Sequence, residues 1–316
     1  MKFLGLRLCE HDSNISYFDG EDVHYFKLER QTRKKHDAYH NFESWVKEIK
    51  KIWNLNVEDL DEIGIVFDPW HYHLDYDNDN FFPSKKFNYL PYNITRINHH
   101  YAHALSSWPV IDDCTKHFIF DGFGDYRISW SFFENDKLID LGFGDKDFSL
   151  GLCTNYTANI LGIKAKNDLD LAGKLMGLQS YGTIDKKFLN KIINFNAREF
   201  GMVFDYGLWQ QHMKDDLIAD LTKLNWIKTV HFAVGEILIK HFKLYVDKDD
   251  IVSFSGGCAQ NVVWNSQIKN YFKNLIVFPH CNDEGLSLGV LEFFRKKHNL
   301  PFFKKDNFPY WQTQSA

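Results

Sequence analysis

Two histidines, His99 and His103, stand four positions apart in the run Asn98-His99-His100-Tyr101-Ala102-His103-Ala104. On a helix that spacing puts both imidazoles on one face, where they can share an ion at about 2.0–2.1 Å. The same spacing also suits two polar helix histidines with no ion, and the chain's 15 histidines make a chance pair easy to find. An ion would need further donors, and the acidic residues Asp121 and Asp283, each just after a strand, are the natural ones. Two histidines with carboxylates suit iron, zinc or manganese better than calcium or magnesium.

Other runs offer different chemistry. In Asp121-Gly122-Phe123-Gly124-Asp125 the backbone at Gly122 and Gly124 could approach a phosphate or a metal-bound ligand, although any tight hairpin turn also uses glycine. Ser255-Gly256-Gly257-Cys258-Ala259-Gln260-Asn261 lies between an apolar strand and a helix, the setting a nucleotide loop requires. Asn261 and Asn265 are one helical turn apart and could present amides to a base or ribose; the plain alternative is an ordinary strand-to-helix turn. His11-Asp12 follows the first strand, as a general base and its partner, an anion site or an exposed turn. The run Glu29–Asp37, with Arg30, Arg33, Lys34, Lys35 and His36, follows the third strand and by itself reads as a charge run, which is usually a solvated face. Lys174, between Gly173 and Gly177, could reach a phosphate, but the spacing is not that of a P-loop and a helix with flexible ends would look the same.

These residues need elements to hold them. The first thirty residues read as strands over Lys2–Leu8, Asn14–Phe18 and Val23–Leu28, the last two β-rich runs being joined by an Asp-Gly hairpin signal. A helix over Phe42–Trp53, a strand over Glu62–Phe67 and a long loop over Asp68–Tyr92 follow. The opening pattern then returns as strands over Lys116–Phe120, Ile128–Glu134 and Lys137–Phe143. After a mainly helical stretch come strand Asp250–Phe254, helix Cys258–Tyr271, strand Leu275–Phe278 and helix Glu284–Lys297. The doubled opening predicts an α/β protein of two ribonuclease-H-like lobes in an actin-like fold. The lobes are expected over 1–110 and 111–300, with a helical insertion at about 149–245 in the second and a tail at 301–316 without assigned function.

The bulk composition narrows the class. A net charge of -5 gives no global attraction to nucleic acid or to anionic lipid. Cys9, Cys114, Cys153, Cys258 and Cys281 form no Cys-x-x-Cys pair, which favours reduced thiols over a disulfide framework. The apolar start Phe3–Leu8 is interrupted by Arg7 and is too short for a secretory core, and no stretch approaches the ~20 apolar residues of a membrane span. A cytoplasmic location is expected.

Taken together in their order, seven elements resemble the NodU/CmcH-type carbamoyltransferase family over nearly all of residues 1 to 300. They are His11-Asp12-Ser13, the Glu29–Asp37 run, His99–Ala104, Asp121–Asp125, Gly173–Leu178, Ser255–Asn265 and Asn282–Gly289. The resemblance implies that His99, His103, Asp121 and Asp283 hold a divalent metal, iron by expectation with zinc or manganese as alternatives. It implies that Gly256, Gly257, Ala259 and Asn261 hold the adenylate part of carbamoyladenylate, formed from carbamoyl phosphate and ATP. It makes Lys174 and the Arg30–Lys35 run candidates for phosphate or substrate contacts, and matches His11 to the histidine that assists an acceptor hydroxyl. The expected reaction is carbamoyl transfer to a hydroxyl of a small molecule such as a sugar or nucleoside, with AMP leaving. Family members usually continue into a YrdC-like domain that makes the donor, so the expectation is that a separate YrdC-like protein supplies carbamoyladenylate, that another activated carbamoyl donor is used, or that catalysis has been lost. The resemblance extends more distantly to tRNA threonylcarbamoyl transferases, but Gly173–Leu178 and Lys35-His36-Asp37 favour the small-molecule branch. A non-catalytic nucleotide-binding subunit is the reading from another class.

Overall fold

The computed structural model describes residues 1–8, 10–39, 44–66, 85–89, 92–112, 114–143, 149–193, 222–306, 308–309 and 311. In chain order the strands are β1 (Phe3–Arg7), β2 (Asn14–Phe18), β3 (Val23–Lys27), β4 (Glu62–Val66), β5 (Lys85–Tyr89), β6 (Tyr92–Arg96), β7 (Lys116–Phe120), β8 (Ile128–Glu134), β9 (Lys137–Phe143), β10 (Val252–Ser255) and β11 (Leu275–Ile276). The helices are α1 (Leu28–Thr32), α2 (Ser44–Trp53), α3 (His99–Leu105), α4 (Leu150–Ile160), α5 (Leu171–Leu178), α6 (Lys186–Ile193), α7 (Lys223–Phe242), α8 (Val262–Tyr271) and α9 (Leu286–Lys297). The chain forms two compact units, Met1–Cys114 with Phe278–Ala316, and Thr115–Val277.

In the first unit the sheet order is β3-β2-β1-β4-β6-β5. β2 is antiparallel to both β1 and β3, β4 is parallel to β1, and β6 is parallel to β4. All five residues of β1 are buried, because the strand is covered on both faces. Strand alternation sends Leu4 and Leu6 into a cluster with Trp45 and Ile49 of α2. It sends Phe3 and Gly5 to the other face, where Phe3 meets Phe294 of α9 at 5.5 Å between ring centroids.

The final segment belongs with this first unit. The sequence reading placed residues to 300 in the second lobe and left 301–316 as a tail, whereas α9 packs on β1, β2, β4 and α3. Phe303 then packs on Phe18 at 4.5 Å and on Trp108 at 5.3 Å, and Trp311 stacks on Trp108 at 5.5 Å. An apolar helix stripe marks a buried face without saying which sheet it covers.

The second unit repeats the scheme in the order β11-β10-β7-β8-β9. β7 pairs antiparallel with β8, which pairs antiparallel with β9, while β10 runs parallel to β7 and β11 parallel to β10. Both units therefore carry the ribonuclease-H-like arrangement, with a central first strand, an antiparallel hairpin on one side and parallel strands on the other, to which the first unit adds β5 antiparallel to β6 at the edge. The helical insertion is present as α4 to α7, between β9 and β10; its residues 194–221 lie outside the described residues. α7 is anchored by Phe242, whose ring lies 3.8 Å from and nearly parallel to that of Phe118.

Some boundaries differ from the expectation. The helix expected from Cys258 starts at Val262, because residues Gly257–Gln260 form a tighter 3-10 turn. The helix expected from Glu284 starts at Leu286 for the same reason. Of the loop expected over Asp68–Tyr92, residues 85–89 and 92 are strand, and the rest lies outside the described residues, as do Phe42 and Phe67. Among the described residues, no helix is long and apolar enough to cross a membrane.

Candidate active site

α3 begins where the Asn98 side chain accepts the Tyr101 N–H at 3.1 Å, satisfying one orphan donor of the first turn. Every residue of the helix is buried, so its histidines are held by packing on all sides. The expected i, i+4 geometry follows: the Nε2 atoms of His99 and His103 face each other at 3.1 Å. Two imidazole nitrogens this close need a proton or a cation between them. Each Nε2 is 3.4 Å from Oδ1 of Asp283. This donor set, two imidazoles and one carboxylate oxygen converging in a buried place, fits a divalent transition metal.

Asp283 is pinned from the β1–β2 hairpin. The Asn14 side-chain amide donates to the carbonyls of Asp283 at 2.9 Å and Asp12 at 2.7 Å, and its oxygen accepts the Ser287 N–H at 3.2 Å. Arg7 donates to Oδ2 of Asp283 through Nη2 at 2.7 Å and Nε at 3.2 Å. Burial pushes the Asp283 carboxyl up, but the His99 and Arg7 charges, with hydrogen bonds from both histidines, hold it well below the usual carboxylate range. Behind the pair, the Ser106 hydroxyl donates to the His103 carbonyl at 2.8 Å, and His280 Nε2 donates to the Ser106 carbonyl at 2.7 Å. Arg7, Asn14 and His280 were not singled out in the sequence. Arg7 was visible only as a charge inside an apolar strand.

The expected base lies on the same hairpin. His11 Nδ1 is 3.0 Å from Asp12 Oδ2, and His36 Nδ1 is 3.1 Å from Asp12 Oδ1. A carboxylate at neutral pH only accepts, so both Nδ1 atoms carry protons and His11 presents Nε2 as a proton acceptor. His11 Nδ1 also lies 3.9 Å from Asp283 Oδ2. Of the charged run, His36 turns inward, its N–H donating to Glu29 Oε2 at 2.9 Å, while Arg30, Arg33 and Lys35 are exposed.

In the second unit, Asp121 directly follows β7 and ties two loops together. Its Oδ1 accepts the Gly122 N–H at 2.6 Å and its Oδ2 the Gly257 N–H at 3.2 Å. Gly124 donates its N–H to the Ile128 carbonyl at 2.8 Å, closing the turn. Gly256 has φ +87°, and a β-carbon there would sit 2.2 Å from the Phe120 carbonyl oxygen, so only glycine fits. Asn261 caps α8, its side-chain oxygen accepting the Val263 and Trp264 N–H groups at 3.1 and 3.2 Å. Asn265 donates to the carbonyl of the buried Ala259 at 2.6 Å. Asn261 thus spends its oxygen on α8 and Asn265 its NH2 on the loop. Lys174 is exposed and donates to the Lys164 carbonyl.

Solved structures similar to this chain give the fold. HypF in its phosphate- and nucleotide-bound form is 14% identical, with a TM-score of 0.59 covering 96% of this chain and 56% of that one. Component A of (R)-2-hydroxyglutaryl-CoA dehydratase from Acidaminococcus fermentans is 14% identical, with a TM-score of 0.55 covering 95% of this chain and 99% of that one. The ADPNP-bound activator of 2-hydroxyisocaproyl-CoA dehydratase from Clostridium difficile is also 14% identical, with a TM-score of 0.55 and coverage of 95% and 97%. The fold is therefore actin-like. In sequence, nodulation protein U of Azorhizobium caulinodans is 27% identical over 146 residues, 39% of this chain. The match spans 26% of that relative's length. The family model described as carbamoyltransferase N-terminus matches residues 84–291, more than half of the chain and a stretch running from before His99 to beyond Asp283. On that match, the chain belongs to the carbamoyltransferase N-terminus family.

Proposed function

We propose that this chain is a metal-dependent O-carbamoyltransferase that moves a carbamoyl group from carbamoyladenylate to a hydroxyl of a small molecule such as a sugar or nucleoside. The observation that carries the reading is the buried convergence of His99, His103 and Asp283, with the His11–Asp12 pair beside Asp283. His99, His103 and Asp283 would hold a divalent ion, iron by expectation, whose chemistry there is to offset negative charge. The loop Gly256–Asn261 would hold the adenylate portion, with backbone N–H groups and a helix start suited to a phosphate. His11 Nε2 takes the proton of the acceptor hydroxyl as its oxygen bonds to the carbamoyl carbon; the carbon–phosphate-oxygen bond breaks and AMP leaves. The exposed Arg30, Arg33 and Lys35 would meet the anionic or polar parts of the substrates.

The test supplies the donor from outside. The iron-loaded full chain is mixed with carbamoyl phosphate, ATP and a separate carbamoyladenylate-forming enzyme, and a panel of sugars and nucleosides is screened for a carbamoylated product and matching AMP. Transfer that disappears in His11→Ala supports the reading. Nucleotide binding that persists without metal, with no transfer to any acceptor, would replace it with a non-catalytic nucleotide-binding subunit.

A further inference from the structure

We infer that Arg7 is a positioning residue that makes Asp283 a one-oxygen metal ligand, an inference that rests on the metal reading above. Strand alternation in β1 puts residue 7 on the face shared with Phe3 and Gly5, the face α9 covers. Down that face Phe3 meets Phe294, Gly5 meets Ser287 and Val290, and Arg7 meets Asp283. The guanidinium is fully buried, and the carboxylate it meets is nearly so.

A buried ion pair is costly to desolvate, and an apolar pair of similar size is often as stable or more so. Fold stability alone therefore gives little reason for an arginine here. The geometry gives a better one. Nε and Nη2 both donate to the same oxygen, Oδ2, at 3.2 and 2.7 Å, instead of spreading over both oxygens. The other oxygen, Oδ1, is left on the side of His99 and His103. Asn14 holds the Asp283 backbone at its carbonyl, so the remaining freedom is rotation of the carboxylate, and Arg7 removes it. The guanidinium also balances the Asp283 charge before any cation arrives. Lysine would keep the charge but, as a single point donor, could not fix the rotation.

The experiment uses the full chain and Co2+ alone, followed by calorimetric titration and by visible absorption of the bound ion. In Arg7→Lys and Arg7→Met, Co2+ should bind about 10- to 100-fold more weakly than in the parent, with an altered absorption envelope as the freed carboxylate turns. The metal-free Arg7→Lys protein should melt within a few degrees of the parent, showing an intact fold. If Arg7→Met does not fold, Arg7→Lys decides alone. Unchanged affinity and spectrum in Arg7→Lys overturn the inference and reduce Arg7 to a charge, and weaker binding with an unchanged spectrum overturns it too, because the carboxylate would not have turned. A parent protein that takes up no Co2+ overturns the metal reading and this inference with it.

Discussion

Asp12 serves two histidines with one carboxylate, and the energetics show which groups depend on it. Burial works against its ionised form, but the hydrogen bonds from His11 and His36 outweigh that and bring its pKa down to about 2. The stability that Asp12 contributes is therefore complete above the ordinary carboxylate range and is lost only as the pH falls through about 2. His11 moves the other way: burial lowers its pKa, yet the Asp12 hydrogen bond and the Asp283 charge raise it overall. Asp12→Asn should leave the fold intact, since residue 12 has φ +54°, a conformation asparagine tolerates well. The His11 titration, followed by NMR of its imidazole ring, should move to lower pH, and carbamoyl transfer should slow about 100-fold. A His11 midpoint equal to the parent's would remove Asp12 from this role. Residues of this kind differ in how legible they are. His99 and His103 could be paired from the sequence because their geometry is set within one helical turn. Arg7 could not be linked to Asp283, because 276 residues separate them and only the packing of α9 on β1 brings them together.

The three residues proposed to hold the metal come from α3 and from the turn just before α9, and the contact between these two helices is unusually close. A β-carbon at Gly289 of α9 would lie 2.1 Å from the Ala102 carbonyl oxygen on α3, between His99 and His103 in sequence. Gly289→Ala should therefore push α9 off α3, costing about 1–3 kcal/mol and lowering the melting temperature by about 5 °C. Because His99 and His103 ride on α3 and Asp283 precedes α9, Co2+ affinity should drop as well. A variant that melts lower but binds Co2+ like the parent would show that the donors are positioned independently of this contact. The strands around these helices were readable from alternation and turn residues, and β7, β8 and β9 match their expected bounds. The last segment was misassigned because an amphipathic helix and scattered aromatics such as Phe303 and Trp311 carry no sign of the sheet they will meet. The strand at Lys85–Tyr89 was hidden in a polar, aromatic stretch whose pairing with β6 depends on a distant strand, β4, having already set the sheet edge.

At the scale of the molecule, both units bury neutral histidines, and this sets the response to acid. His231 and His241 in α7, and His280 beside Ser106, are each pushed down to about 4, burial being the main cause in every case. Their folded pKa values lie below the ordinary value of 6.5, so the unfolded chain binds more protons between pH 6.5 and about 4. Stability should be complete above pH 6.5 and fall as the pH drops towards 4, by up to about 1.4 kcal/mol per histidine per pH unit. Carboxylates such as Asp12 titrate below this window and cannot produce the same loss. His231 is the best position for a test, because it lines an apolar cavity with Leu150, Val230, Val234 and Trp264, where a leucine of similar volume fits. Among the described residues its ring hydrogen bond runs only to the Ile227 carbonyl within α7, and the Trp264 indole donates to its backbone, which the substitution keeps. His231→Leu should thus melt close to the parent at pH 7.5 and progressively above it as the pH approaches 5, read by calorimetry across that range. Parallel curves for the two proteins would show that His231 takes up no extra proton on unfolding, and the acid sensitivity would then have to come from groups other than this one.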